Sequence, residues 1–193
     1  MYRYRENKKR WEYNLSYLIN NHLKTGYSNY NLFFLKHYYQ ELNLNNKILD
    51  IGCGHYRNLG LFYKLGFKEL YGIDKLLPKP IDLPKRFKVD FTQKDITHGL
   101  PYKEKEFDIV LCNYVLMFIP IKTLSYVLRE LLRVTKCFCI IETQKQFYKA
   151  KHSQIKDYIF TDIIKFIENN NEFEILDKKI YKEKLILRRK SDG

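Results

Sequence analysis

A chain of 193 residues is long enough for one folded domain with a real core, and its composition, 45% hydrophobic and 30% charged, excludes a disordered or fibrous chain. No apolar run approaches the ~20 residues of a membrane helix. The opening Met1-Tyr2-Arg3-Tyr4-Arg5 lacks the apolar stretch of a secretory leader, and four cysteines without a CxxC pair suit a reducing, cytoplasmic setting.

The net charge of +13 attracts polyanions, which makes nucleic acid a candidate partner. The abundance of Lys, Asn, Ile and Tyr is equally what an AT-rich genome yields whatever the function.

Residues 1 to about 45 read as a helical cap. Trp11, Leu15, Leu18 and Ile19, then Leu32, Phe33 and Leu35, recur at helical spacing with a break near Gly26. From residue 46 the pattern alternates strand and helix, the signature of a parallel sheet covered on both faces. Lys47–Ile51 is the first strand. Asn58–Leu65 is a short helix ended by Gly66, and Leu70–Ile73, ending on Asp74, is the second strand. Pro78, Pro80 and Pro84 exclude an ordinary helix interior between them.

A third strand is expected near Phe87–Phe91, followed by Asp95. The fourth, Phe107–Cys112, is the clearest in the chain. A helix carrying Leu124, Val127, Leu128, Leu131 and Leu132 leads to a nearly all-apolar fifth strand, Cys137–Ile141. Ile155–Ile167 reads as helix, and Phe173–Ile180 with Lys184–Leu187 as a closing hairpin. The expected fold is α/β: a three-layer, Rossmann-like, seven-stranded sheet, mostly parallel, with a C-terminal antiparallel hairpin and an N-terminal helical cap. It forms a single domain (1–45 cap, 46–145 core, 146–193 helix and hairpin).

Asp50-Ile51-Gly52-Cys53-Gly54 stands where a strand turns toward a helix, and glycines there let a ligand approach the backbone. A dinucleotide fingerprint needs a third glycine at position 57, where this chain has Arg57. Asp74, twenty residues past Gly54, ends the second strand where a carboxylate can accept two ribose hydroxyls. With Lys94-Asp95-Ile96 and Phe107-Asp108-Ile109-Val110-Leu111-Cys112-Asn113, this order resembles the class I S-adenosylmethionine (SAM)-dependent methyltransferases, and within them the small single-domain members.

The resemblance covers about residues 46 to 145 and implies SAM as cofactor. It implies Asp50, Gly52 and Gly54 beside the methionine part, with Cys53 of the same loop among the cofactor-binding residues or packed as a small apolar one, Asp74 on the ribose, and Asp95 with Ile96 on the adenine edge. Asn113 and Tyr114 would face the donor methyl and the acceptor, as candidate cofactor-contacting and catalytic residues. Two positions depart from the family: Tyr56 replaces a frequent glycine, and Thr135-Lys136 replaces the usual glycine turn before the fifth strand.

The acceptor is open. Asn113-Tyr114-Val115-Leu116 lacks the prolines of the Asn-Pro-Pro-Tyr turn, and no Pro-Cys pair follows the fourth strand. Tyr114, Met117 and Phe118 form either a substrate wall or core. A nucleic acid or nucleotide, a small metabolite or protein side chain, and a silent SAM-binding module all remain. The interleaved basic and aromatic residues Tyr2 to Trp11 suit either a substrate-binding surface or a solvated helix, and Arg188-Arg189-Lys190 reads as a solvated tail. No metal site is expected: Cys137 and Cys139 share a strand face with no partner pair, and of the five histidines only His55 lies in the cofactor loop.

Overall fold

The structure, a computed structural model, describes residues 14–18, 26–78, 86–143 and 160–191. The expected features at Tyr2–Trp11, Ile19, His22, Pro80, Pro84, His152 and Ile155 lie outside them. Residues 14–18 are helical, and Leu15 and Leu18 are buried.

The elements that follow are α1 (Asn29–Tyr38), β1 (Ile48–Ile51), α2 (Arg57–Lys64), β2 (Leu70–Asp74), β3 (Asp90–Gln93) and β4 (Phe107–Asn113). Then come α3 (Ile121–Val134), β5 (Thr135–Glu142), α4 (Phe160–Glu168), β6 (Phe173–Lys179) and β7 (Lys184–Arg189). The seven strands form one sheet in the order β3-β2-β1-β4-β5-β7-β6. The first five run parallel, and β7 is antiparallel to both β5 and β6. The expected fold class is the observed one.

Burial explains the apolar strands. One sheet face packs on α3 and α4 through Leu128, Leu131, Ile163 and Ile167; the other packs on α1 and α2 through Phe34, Leu35, Leu59 and Phe62. Ile48, Leu49, Ile51 and Ile109–Cys112 are all sealed from solvent, as strands covered on both faces must be. The chain builds β1, β2 and β3 outward in one direction, then returns to lay β4 against the other side of β1. That reversal opens a crevice beyond the C-terminal ends of β1 and β4, where ligands of such sheets bind.

Three local expectations are corrected. The third strand begins at Asp90, opposite Tyr71, and not near Phe87. Phe87 leaves the sheet to pack edge-on against Tyr63 of α2, with ring centroids 5.1 Å apart. Cys137 and Cys139 do not share a face. A bulge places Thr135 opposite Phe107 but Phe138 opposite Ile109, so the extra residue turns Cys137 toward the α1/α2 side while Cys139 packs under α3 and α4. Arg188 and Arg189 are not a solvated tail: Arg188 forks onto Glu41 at 2.6 and 2.8 Å, and Arg189 donates to Leu132 O and Thr135 O at 2.6 and 2.9 Å.

Those last bonds account for the missing glycine turn before β5. Thr135 follows α3 directly, its Oγ1 donates to Leu131 O at 2.7 Å, and Arg189 satisfies carbonyls that a glycine cap would otherwise help to close.

Candidate active site

The C-terminal strand ends open into one cavity of about 1130 Å³. Gly52, Cys53 and Gly54 line it from the turn after β1, Asp74 from the end of β2, Asp95 and Ile96 from beyond β3, and Asn113 and Tyr114 from the tip of β4. Of the candidate cofactor and catalytic residues, Asp50 alone does not line it, and of the candidate wall residues Tyr114 and Phe118 do while Met117 does not. The Asp50 carboxyl lies behind the loop, 1% exposed, with Oδ2 lacking a hydrogen-bond partner. Burial, reinforced by the nearby Asp74 charge, pushes that carboxyl up to about 8 against the opposing pull of Arg57 and Asn58.

The loop is fixed by backbone. The Gly52 and Cys53 N–H groups both donate to Ile73 O, at 2.8 and 3.2 Å. Gly52 has φ +66°, and a β-carbon there would collide with a Val115 methyl. Gly54, at φ +49°, has nothing within 4 Å of where its β-carbon would be, so the cavity reaches the bare backbone. Tyr56, standing where the family often has glycine, adopts the left-handed conformation regardless, at φ 60° and ψ 23°. Gly72 makes room for this: a β-carbon on it would meet Cys53 Sγ at 2.8 Å and Tyr56 Cε1 at 3.3 Å.

Asp74 accepts from Gly54 N–H through Oδ2 and from Leu76 N–H through Oδ1, each at 3.0 Å. Each carboxylate oxygen keeps a lone pair for a ligand. Asp95 takes Thr97 N–H at 2.9 Å and Thr97 Oγ1–H at 2.7 Å on one oxygen, bonds that hold its carboxyl below the usual range.

The far end of the cavity is organised around Glu142, the last residue of β5, which is 1% exposed. Its Oε2 accepts from Ser28 Oγ at 2.5 Å and from Asn113 Nδ2 at 3.1 Å. Its Oε1 accepts from Tyr114 Oη at 2.8 Å and from Lys184 Nζ. The Tyr114 N–H donates to Glu142 O at 2.6 Å, and Tyr114 sits at φ 60°, a strained value for an aromatic residue.

Asn113 is locked by a reciprocal amide pair with the fully buried Asn31, at 3.1 and 3.3 Å, and by Asn58 Nδ2 at 3.3 Å. Burial and the Glu142 charge drive the Tyr114 phenol well above the ordinary range, so it keeps its proton near neutral pH.

Glu142, Lys184, Ser28, Asn31 and Asn58 were not picked out from sequence. The one available signal was an acidic residue directly after the apolar run Cys137–Ile141, at the same sheet edge as Asp50 and Asp74. Asp108, inside the motif, belongs to the opposite end of β4, where it takes Lys47 N–H at 2.8 Å and pairs with Lys136 at 3.0 Å. Among the described residues no group of three His, Cys, Asp or Glu side chains could hold a metal ion.

Comparison with known proteins agrees with this geometry. The family model described as "Methyltransferase domain" matches residues 49–137. An uncharacterized protein of Methanocaldococcus jannaschii is 34% identical over 120 residues, 60% of this chain but only 46% of that protein, so the match spans less than half of the relative's length. A solved SAM-dependent methyltransferase of Aquifex aeolicus superimposes with TM-score 0.53 at 15% identity, over 80% of this chain and 87% of that one. The 1,6-didemethyltoxoflavin-N1-methyltransferase of Burkholderia thailandensis, solved with S-adenosylhomocysteine bound, gives TM-score 0.55 at 13% identity over 76% and 72%. Residues 49–137 therefore match the Methyltransferase domain family, and the fold is one shared with these solved methyltransferases.

Proposed function

We propose that this chain is a SAM-dependent methyltransferase. The observation that carries the reading is the convergence of Gly52, Gly54, Asp74, Asp95 and Ile96 on one cavity at the strand reversal. The residues fit the cofactor. Bare backbone at Gly54 would admit the methionine part, the spare lone pairs of Asp74 suit vicinal ribose hydroxyls, and Asp95 with Ile96 would take the adenine edge. When bound, SAM supplies an activated methyl on a sulfonium that is already a good leaving group.

The protein's own task is then alignment. The cavity wall must hold the nucleophile in line with the methyl-to-sulfur bond and keep water out, which lowers the barrier by several kcal/mol. Gly52, Gly54 and Asp74 would hold the cofactor, and Tyr114 and Phe118 would present the acceptor to it.

A nucleic acid or nucleotide acceptor is supported by the net charge and by Arg57, Lys75, Lys94 and Lys184 in the cavity lining. The apolar wall of Val115, Phe118, Ile119 and Pro120 favours a small-metabolite acceptor as a second reading. A cytoplasmic setting is supported by four free cysteines. No helix among the described residues is long and apolar enough to cross a membrane.

Calorimetric titration with SAM and S-adenosylhomocysteine, on wild type and Asp74→Ala, tests the assignment. Micromolar binding that is lost or much weakened in the variant supports it. Well-folded wild type that binds neither compound would remove it.

A further inference from the structure

Glu142 has no lone pair to spare. A carboxylate offers about four acceptor positions, and here Ser28, Asn113, Tyr114 and Lys184 fill them. It is therefore not a general base; it is a fixed buried acceptor that dictates which way its partners point. Asn113 is likewise spent, its amide engaged with Asn31, Asn58 and Glu142.

Tyr114 differs. Its single phenolic proton goes inward to Glu142 Oε1, so its oxygen has only lone pairs left to offer the cavity it lines. Lys184, also in the lining, donates to the same carboxylate oxygen and retains two further N–H donors. An acceptor and a donor thus stand side by side on one atom. Tyr114 and Phe118, 40% and 62% exposed, add flat aromatic surface beside them.

We propose that this pair is the acceptor subsite, and that it reads a planar ring whose edge carries an N–H beside a ring nitrogen or carbonyl oxygen. Tyr114 receives the N–H, Lys184 donates to the neighbouring lone pair, and Glu142 is the positioning residue that sets the polarity of both. Nucleobases and fused heteroaromatic metabolites share this edge. That the ring is the methyl acceptor rests on the methyltransferase reading above; the recognition itself does not.

Ligand-observed NMR on the full chain, with and without saturating S-adenosylhomocysteine, tests it with 9-methyladenine and 9-methylpurine, which differ by one amino group and carry no ring N–H. Wild type should bind 9-methyladenine roughly threefold to tenfold tighter than 9-methylpurine, the worth of one neutral hydrogen bond. The ratio should fall to about one in Tyr114→Phe and in Glu142→Gln, whose amide no longer fixes the phenolic proton inward. Merely structural damage would weaken both probes alike and leave the ratio standing. Tyr114→Phe leaves the Ser28, Asn113 and Lys184 bonds to Glu142 in place and so keeps the test decisive if Glu142→Gln does not fold.

Equal binding of the two probes by wild type, or a ratio that survives Tyr114→Phe, overturns the proposal. Adenosine 5′-monophosphate binding tighter than 9-methyladenine supports it with a nucleotide as the source, and equal affinity supports it with a free ring. Failure to bind S-adenosylhomocysteine in the same series would overturn the cofactor reading alone.

Discussion

Val115 closes the space that a β-carbon on Gly52 would need: one of its methyls lies within clash distance of that position, so the turn after β1 and the segment after β4 meet with no room for a side chain between them. Gly52 is also at φ +66°. Gly52→Ala should therefore fail twice, once through left-handed strain of about 1–2 kcal/mol and once through the collision. The double variant Gly52→Ala/Val115→Ala separates the two. Denaturant unfolding should show the steric part recovered and the strain part retained, with SAM affinity following the same order. Strict additivity of the two single changes would mean that the loop shifts to avoid Val115.

Asp50 makes stability depend on pH in a defined direction. Its carboxyl holds a proton up to about pH 8 in the folded chain, whereas the unfolded chain releases it near the ordinary aspartate value of 3.8. Between these values the folded state binds the extra proton, so its stabilising contribution is complete below about pH 4 and is lost as pH rises toward 8. The slope from this one group is up to about 1.4 kcal/mol per pH unit. Asp50→Asn carries a neutral group at every pH and lacks that slope. Its unfolding midpoint relative to wild type should rise steadily from pH 5 to pH 8; a constant difference would show that the carboxyl is ionised in the folded chain.

The sheet was legible because burial on both faces leaves β1, β4 and β5 as nearly unbroken apolar runs, and Asp74 was legible because it ends such a run. Phe87 and Val89 misled because apolar residues beside a strand pack equally well on a helix, and only the Tyr71–Asp90 register decides where pairing starts. The bulge that separates Cys137 from Cys139 is a property of the β4–β5 pair and has no mark in β5 alone. Glu142 escaped for a similar reason: Ser28 and Lys184 lie 114 and 42 residues away from it, and long-range hydrogen bonds leave no periodicity.

The Asn31–Asn113 pair ties α1 to the tip of β4, and buried amides tolerate replacement badly. Asn31→Leu removes a donor and an acceptor at a fully buried site and should cost roughly 1–3 kcal/mol. Asn31→Asp also loses the donor to Asn113 Oδ1, and adds a buried carboxylate. Its loss should exceed that of Asn31→Leu at pH 8 and shrink at pH 5, where the new carboxyl can hold its proton. Thermal unfolding at the two pH values checks this, and equal losses at both would indicate that the site admits water.

Arg189 closes the α3–β5 junction, and its two kinds of partner should differ sharply in worth. The guanidinium donates to Leu132 O and Thr135 O, lies 4.5 Å from the Phe173 ring centroid, and pairs with Glu172. Its own side chain is 8% exposed, whereas that of Glu172 is 62% exposed. The exposed carboxylate adds little, since surface ion pairs contribute about 0–1 kcal/mol. Leu132 O also accepts the Thr135 N–H, but one lysine cannot span both carbonyls, because it offers a point charge where a planar fork is required. Glu172→Gln should therefore shift stability by less than about 0.5 kcal/mol, while Arg189→Lys should cost about 1–3 kcal/mol. Urea unfolding of both variants decides the matter: comparable losses would mean that the ion pair, and not the capping of α3, holds the C-terminal strand in place.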